Sequence, residues 1–148
     1  MSQKNVEIVR RAHEVFNQGG FGPENAYRIA AELLHPAVEW HDQRELPGAT
    51  VHHGIDEVMR HLASAEESVH YDAADLLEIL DAGAYVVAVY RIHARGRSSG
   101  VPVERDSVHV YSFRDAKIER VEIFGSRTEG VEAAGLGSRR RTRSSTSE

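Results

Sequence analysis

Residues 85–124 read YVVAVYRIHA RGRSSGVPVE RDSVHVYSFR DAKIERVEIF. Three segments of this stretch, 85–97, 101–113 and 118–124, are rich in β-branched and aromatic residues and alternate in polarity, which is typical of strands. The short connections between them require neighbouring strands to run antiparallel. With a further strand predicted at 76–81, after a change to strand periodicity near Val69, these segments predict a four-stranded meander.

The two longer segments each contain thirteen residues. Straight strands of that length would extend roughly 43 Å, which is more than a domain of this size can use as a flat layer. The strands must therefore coil or carry bulges, and the sheet should have a concave side that helices can cover.

Two helices are predicted upstream of the sheet. Apolar residues recur every three or four positions over residues 5–17, and again from Pro23 onward, so each helix carries one apolar stripe. Asn5 is a suitable N-cap for the first helix, and Gly19-Gly20 should end it. Pro23 favours the first turn of the second helix, and the short connection makes the two helices an antiparallel pair.

Four shorter segments complete the predicted fold. Residues 37–42 alternate like a strand, 43–53 form a loop, 55–62 form a third helix, and 129–134 add a helical turn after the sheet. The sequence therefore predicts an α+β fold in which three N-terminal-half helices pack on a strongly curved antiparallel sheet.

Composition excludes several classes of protein. The 148 residues suit one domain, predicted at residues 1–136, and the absence of cysteine excludes disulfides and thiolate sites. Residues 137–148 carry four arginines and one glutamate, so they are expected to form a disordered basic tail with a charge of +3. Because the whole chain carries −5, the first 136 residues carry −8, which argues against nucleic-acid binding by the folded domain. No secretory signal or membrane span is recognisable, so a cytoplasmic protein is expected.

Three segments resemble a known family. Residues 6–17 read VEIVRRAHEVFN, 34–42 read LHPAVEWHD, and 115–118 read DAKI. Together with the order of the elements, they resemble the SnoaL-like branch of the nuclear transport factor 2-like superfamily, over residues 5–136. This superfamily also includes ketosteroid isomerase, scytalone dehydratase and limonene epoxide hydrolase. The resemblance implies a cone-shaped α+β barrel with a pocket at its wide end and a homodimer formed through the sheet, but it does not determine the function.

The resemblance places none of the usual isomerase residues in this chain. Trp40 stands where the isomerases have the aspartate base, Ala12 where they have a tyrosine, and His109 where they have a late aspartate. Steroid isomerisation by the usual mechanism is therefore not expected.

The same matching implies which side chains face the pocket. On the first and the last two strands they are Val38, Trp40 and Asp42, then His109, Tyr111 and Phe113, then Arg120, Glu122 and Phe124. On the strand that starts at Tyr85, either Ala88, Tyr90 and Ile92 or the alternate set Val87, Val89 and Arg91 face inward, because a shift of one residue exchanges the two faces.

His109 is the principal candidate acid/base, because imidazole changes charge near neutral pH; the alternative is a core histidine bonded to a neighbour. Asp42 either partners His109, acts as the base itself, or simply ends a strand. Glu122 is a second candidate partner. Arg120 and Glu122 share a face, and form either a polar wall of the pocket or a solvated charge pair.

Aromatic residues form the expected ligand-binding surface. Trp40, Tyr90, Tyr111 and Phe124 would line an apolar pocket or, alternatively, pack in the core, and His13 would reach the pocket edge. The histidines and aspartate at 41, 42, 52 and 53 lack a metal-binding spacing, so neither a metal nor another cofactor is expected.

The primary functional hypothesis is a pocket that binds a small, largely apolar metabolite and performs cofactor-free isomerisation, dehydration or cyclisation. One alternative is a non-catalytic module that binds a ligand or dimerises through its sheet. Another is a hydrolase similar to limonene epoxide hydrolase, with Asp42, Arg91 and Asp106 at its site.

Overall fold

The computed structural model describes residues 2–20 and 23–135. Its helices are α1 (Ser2–Gly19), α2 (Pro23–Glu32), α3 (Gly54–Ser68) and α4 (Arg127–Ala133). Its strands are β1 (Leu34–His41), β2 (Val51–His53), β3 (Val69–Ala82), β4 (Tyr85–Gly96), β5 (Pro102–Arg114) and β6 (Lys117–Phe124). The predicted basic tail lies outside the described residues.

The six strands form one curved, unclosed sheet in the order β2-β1-β6-β5-β4-β3. The meander from β3 to β6 is antiparallel, as predicted. However, β1 pairs with β6 in parallel, so the sheet is not antiparallel throughout. Bulges interrupt β3 at two points, and an extra residue at Glu119 of β6 shifts its pairing with β5, so these strands can bend.

The helices α1 and α2 form the predicted antiparallel pair, and α1 ends at the glycine pair. Asn25 of α2 is buried and donates from Nδ2 to the carbonyls of Val15 and Gly20, at 2.7 and 2.8 Å. It thereby ties the C-terminal end of α1 to α2 and gives the Gly20 carbonyl, just beyond α1, a donor. The predicted N-cap at Asn5 is wrong, since α1 already begins at Ser2 and no helix breaker lies between them.

Helix α1 also protects the free edge of β3. The Asn17 side chain accepts from the backbone N–H of Ala74 at 2.9 Å and donates to its carbonyl at 3.0 Å. Because β3 is the last strand of the sheet, these backbone groups have no partner strand on that side. Asn17 takes the place of that strand.

The centre of β4 is buried on both faces. Val86, Ala88 and Tyr90 belong to the core between the sheet and helices α1–α3. Val87 and Val89 belong to a second cluster on the outer face, and α4 packs there. Two-residue polarity alternation is therefore lost in this segment, which is why both of its faces read as apolar in the sequence.

Helix α4 sits on the outer face through a close contact. A Cβ atom at Gly130 would lie 2.5 Å from Val108 Cγ1, so only glycine lets the helix approach this far. Arg127 donates to both carboxylate oxygens of Glu78 at 2.7 and 2.9 Å, which ties the helix to β3. Part of the apolar sheet face expected to form a dimer is thus covered by the chain itself.

None of the helices in the described part of the chain combines the length and apolar composition needed to cross a membrane.

Candidate functional site

A cavity of about 410 Å³ lies between the concave face of the sheet and helices α1–α3. Its size is that of a small-molecule site. Most of the wall is apolar, including Ile29, Leu33, Leu62, Ile118, Val121 and Ile123. A few polar groups are placed in this apolar wall, and they determine what the cavity can do.

The first polar group is a cluster of Asp42 with two histidines. Asp42 follows the end of β1, His52 lies on β2, and His61 lies on α3. His61 Nε2 is 2.9 Å from Asp42 Oδ1, and His52 Nε2 is 3.2 Å from Oδ2. The carboxylate is only 15% exposed, and both Asp42 and His61 line the cavity. We call this set the Asp42 cluster.

The pairing of β1 with β2 builds this cluster. Trp40 is opposite His52, and the Asp42 N–H donates to the Thr50 carbonyl at 3.1 Å, which closes the intervening loop. The two imidazole rings stack at 3.9 Å, with 19° between their planes. Burial lowers the pKa of His61 below its usual value, and the Asp42 carboxylate opposes that effect.

The second polar group is a hydrogen-bonded chain on β4 and β5. The hydroxyls of Tyr90 and Tyr111 are 2.9 Å apart, Tyr111 OH is 3.2 Å from His109 Nδ1, and His109 Nε2 is 3.1 Å from Ser107 Oγ. All four residues line the cavity. We call them the tyrosine–histidine chain.

The hydrogen bonds of the tyrosine–histidine chain can run in either of two directions. If His109 holds its proton on Nε2, Tyr111 donates to His109 Nδ1 and Tyr90 donates to Tyr111. If the proton is on Nδ1, His109 donates to Tyr111, Tyr111 donates to Tyr90, and the Tyr90 O–H is free to donate to a ligand. The tautomer of His109 therefore decides whether Tyr90 offers the cavity a donor or an acceptor.

Burial keeps every residue of the tyrosine–histidine chain neutral. It raises the pKa of Tyr90 to about 12, against the smaller effect of its bond to Tyr111, and it raises the pKa of Tyr111 well above its usual value. It lowers the pKa of His109 to about 3, with a further contribution from the positive charge of Arg105. The expectation that His109 changes charge near neutral pH is therefore wrong, because the ring has little access to water.

Other predicted side chains also border the cavity. Trp40 lies between the two polar groups, with ring centroids 6.4 Å from His61 and 6.1 Å from His109. His13 lines the cavity, and its Nε2 donates to the Ala74 carbonyl at 2.6 Å. Of the two faces considered for β4, the structure places Tyr90 and Ile92 in the cavity wall.

The pocket-facing register predicted for β6 is wrong. Val121 and Ile123 line the cavity, whereas Arg120 and Glu122 pair with each other at 3.1 Å on the outer face. Phe124 also lies on the outer face, in the apolar cluster that includes Ala134 beside α4. The error arose because α4 provides an apolar contact outside the cone, so that an apolar residue at the end of β6 need not point inward.

The arrangement expected for an epoxide hydrolase is also absent. Arg91 and Asp106 form an exposed cross-strand pair at 2.9 Å on the outer face, away from Asp42. Among the described residues that line the cavity, Asp42 is the single carboxylate. Two carboxylates and an arginine therefore do not converge on one water.

His61, His52 and Ser107 were not identified as site residues from the sequence. His61 is next to the apolar stripe of α3, but its partner depends on how α3 packs over β1. His52 required the three-residue strand β2, which is too short to show a period. Two imidazoles and one carboxylate are also suitable metal ligands, and their ligand atoms lie within 4.8 Å of one another.

The sequence matches the profile of a known domain family. The profile of the SnoaL-like domain matches residues 9–121, which is most of the chain. No curated protein matches the sequence.

Solved structures share the fold at low sequence identity. A protein provisionally assigned as a SnoaL-like polyketide cyclase from Jannaschia sp. is 17% identical with a TM-score of 0.69, covering 90% of this chain and 92% of its own. A nuclear transport factor 2-like protein from Burkholderia xenovorans is 23% identical with a TM-score of 0.63, covering 90% and 97%. A protein with a ketosteroid isomerase-like fold from Catenulispora acidiphila, solved in complex with trimethylamine, is 13% identical with a TM-score of 0.65, covering 88% and 93%.

Proposed function

The chain belongs to the SnoaL-like family, and from this premise we propose that it binds a small, largely apolar carbonyl compound and catalyses proton transfer on it without a cofactor. Isomerisation, dehydration and cyclisation share this step, because each can proceed through an enol or enolate.

The observation that carries the proposal is that two different kinds of polar group face one apolar cavity. The Asp42 cluster presents a carboxylate at the cavity wall, held by hydrogen bonds from two imidazoles. The tyrosine–histidine chain presents neutral donors that burial keeps protonated. Enolisation requires this combination, since a base must remove a proton from carbon while a donor stabilises the developing oxyanion.

The proposed roles follow from these properties. Asp42 accepts the proton from the carbon next to the carbonyl and returns it later, while His61 and His52 hold the carboxylate in place. Tyr90 donates to the carbonyl oxygen when His109 carries its proton on Nδ1. His109 is then a positioning residue and not the principal base, because with a pKa of about 3 its neutral ring is a weak proton acceptor.

The wall composition defines the ligand class. Apolar side chains from α2, α3, β1 and β6 leave room for a compact hydrocarbon skeleton, and Trp40 offers a flat surface beside both polar groups. The cavity volume of about 410 Å³ suits a ligand of one to three rings or an equivalent open chain.

Hydrogen–deuterium exchange tests the reaction without knowledge of the natural substrate. Chelator-treated protein is incubated in D₂O with cyclic enones, β-diketones and β-ketoesters, and deuterium incorporation next to the carbonyl is measured by mass spectrometry. We expect catalysed exchange of at least one probe. Asp42→Asn should lower its rate by about 10²- to 10⁴-fold, since the amide cannot accept the proton.

Asp56→Asn is the matched control, because Asp56 is an exposed residue in the first turn of α3. It should leave the exchange rate unchanged. Equal rates in the wild type and the Asp42→Asn variant would exclude Asp42 as the base. Failure of every probe to bind would exclude the proposed ligand class.

The non-catalytic alternative receives less support. In the form of a dimerisation module it predicts a filled cone, whereas the structure has a cavity with polar groups in its wall. In the form of a ligand-binding module it predicts that no probe undergoes catalysed exchange. We retain the homodimer as a proposal, restricted to the part of the outer sheet face that α4 leaves uncovered.

A further inference from the structure

The Asp42 cluster has the donor set of a transition-metal site. Its three potential ligands are two imidazole nitrogens and one carboxylate oxygen, and these atoms lie within 4.8 Å of one another. Such a mixed set suits Zn²⁺, Co²⁺, Ni²⁺ and Fe²⁺, whereas Mg²⁺ and Ca²⁺ prefer oxygen ligands alone. We propose that Asp42, His52 and His61 bind one divalent transition-metal ion in the cavity wall.

The cluster is held by three separate elements. Asp42 follows β1, His52 is on β2 and His61 is on α3, so the packing of α3 on the two strands brings the ligands together. None of the three side chains is more than 29% exposed. Their positions are therefore set by the fold, unlike those of the exposed histidines of the surface.

Only a small movement is required to accept an ion. The two rings are nearly parallel at 3.9 Å, so their lone pairs do not yet meet at one point. A tetrahedral ion with bonds of about 2.0–2.1 Å places two nitrogens roughly 3.4 Å apart. Rotation of the rings about their Cβ–Cγ bonds brings the Nε2 atoms together, and the ion replaces the hydrogen bonds to Asp42.

The ion would keep an open coordination position. Two of the three ligands, Asp42 and His61, line the cavity, so the remaining positions of a four- to six-coordinate ion face the ligand space. This is the arrangement of sites that bind water or a ligand oxygen, in contrast to closed structural sites. The ligand class is thus a compound with an oxygen atom that can bind the ion directly.

This inference shares Asp42 with the proposed proton transfer but does not rest on it. A bound ion occupies one oxygen of the Asp42 carboxylate and makes the other less basic, so the metal-loaded protein should exchange deuterium more slowly than the chelator-treated protein. Metal affinity and deuterium exchange are measured separately, and the failure of one proposal can therefore be told from the failure of the other.

Isothermal titration of chelator-treated protein with Zn²⁺, and the visible absorption spectrum with Co²⁺, test the site. We expect one ion per chain with a dissociation constant in the micromolar range or below, unaffected by millimolar Mg²⁺. His52→Ala, His61→Ala and Asp42→Asn should each weaken binding by at least about tenfold. The Co²⁺ spectrum should show nitrogen and oxygen coordination that each substitution changes.

His53→Ala provides the matched control. His53 is adjacent to His52, but its side chain is 64% exposed and approaches Glu39 on the outer face. Its loss should leave affinity and spectrum unchanged. Circular dichroism shows whether each variant is folded, and if His61→Ala does not fold, His52→Ala decides alone. Absence of binding below about 1 mM, or equal losses in His53→Ala and His52→Ala, would overturn the proposal.

Discussion

At the scale of single residues, His109 shows how burial changes the chemistry of a side chain. The sequence predicts it as an acid/base because imidazole ordinarily changes charge near pH 6.5. In the folded chain it lies between Tyr111 and Ser107 with its pKa lowered to about 3. Its value to the site lies in its choice of tautomer, since the charged form is excluded.

This burial should make the stability of the protein depend on pH. The unfolded chain binds the proton at His109 first, because its pKa there is near 6.5 and the folded value is lower. The contribution of the neutral His109 ring to the free energy of unfolding is fully present above pH 6.5. It is lost as pH falls toward 3, and the free energy of unfolding then decreases by up to about 1.4 kcal/mol per pH unit. His109→Gln should flatten this decline, measured by urea unfolding at pH 7, 5 and 4.

His93→Gln is the control of opposite sign. The hydrogen bond that the exposed His93 ring donates to the Asp75 carboxylate raises the pKa of the ring, and this is the largest influence on it. The stability it contributes is present below the ordinary pKa and is lost as pH rises through the raised value. If His109→Gln and the wild type show the same acid dependence, the buried ring is not the cause.

The sequence predicted much of the site, but not how its members pair. Trp40, Asp42, His109, Tyr111 and Tyr90 were named, and the structure places all five in the cavity wall. Their pairing could not be read, because a strand's periodicity shows which residues share a face but not which helix covers that face. His61 approaches Asp42 only through packing of α3, and Glu122 faces outward because its neighbours Val121 and Ile123 lie in the cavity wall.

At the scale of elements, the hairpin between β5 and β6 departs from the usual turn chemistry. Asp115 and Ala116 both have positive φ, at 54° and 62°, as a two-residue type I′ turn requires. Alanine is unfavourable there, because its Cβ crowds the backbone in the left-handed region.

Ala116→Gly should therefore stabilise the protein. We expect a gain of about 0.5–1 kcal/mol, because glycine adopts this conformation without strain. Thermal and urea unfolding measure the change, while the cavity and its ligands should be unaffected.

Gly83→Ala is the converse substitution in the hairpin between β3 and β4. Gly83 has φ at 80°, and no neighbouring atom lies within 4 Å of the position that a Cβ would take. The substitution should lower the free energy of unfolding by about 1 kcal/mol, because alanine is strained in this backbone conformation. The two substitutions should change the free energy of unfolding in opposite directions. If Ala116→Gly lowers it, a contact made by the alanine methyl group outweighs the backbone strain.

The order of the elements was largely predictable because most elements are long enough to repeat their apolar period several times. The exceptions have physical causes: β2 has only three residues, and two bulges in β3 break its alternation, so only 76–81 of that strand were predicted. The parallel pairing of β1 with β6 joins residues about 80 positions apart, and no local pattern encodes such a contact.

At the scale of the whole molecule, α4 covers valines that would otherwise be exposed. Val87, Val89, Val108 and Val110 are almost fully buried on the outer face. A chain that ends at Gly125 should expose them and self-associate with increasing concentration, as seen by light scattering coupled to size-exclusion chromatography.

A chain that ends at Gly135 retains α4 and is the control. It should have the same oligomeric state as the full chain at every concentration tested. If the chain ending at Gly125 also keeps that oligomeric state and remains folded, covering the outer valines is not what prevents association.

The two burial layers of β4 have a consequence for how the molecule opens. Tyr90 borders the cavity on one side of the strand, and Val89 meets the outer cluster on the other. The strand cannot fluctuate away from one layer without disturbing the other, so the amide hydrogens of Val86–Tyr90 should exchange only when the entire domain unfolds. The back wall of the ligand cavity is then the last part of the chain to reach solvent, and a ligand that rests on it contacts the most persistent segment of the fold.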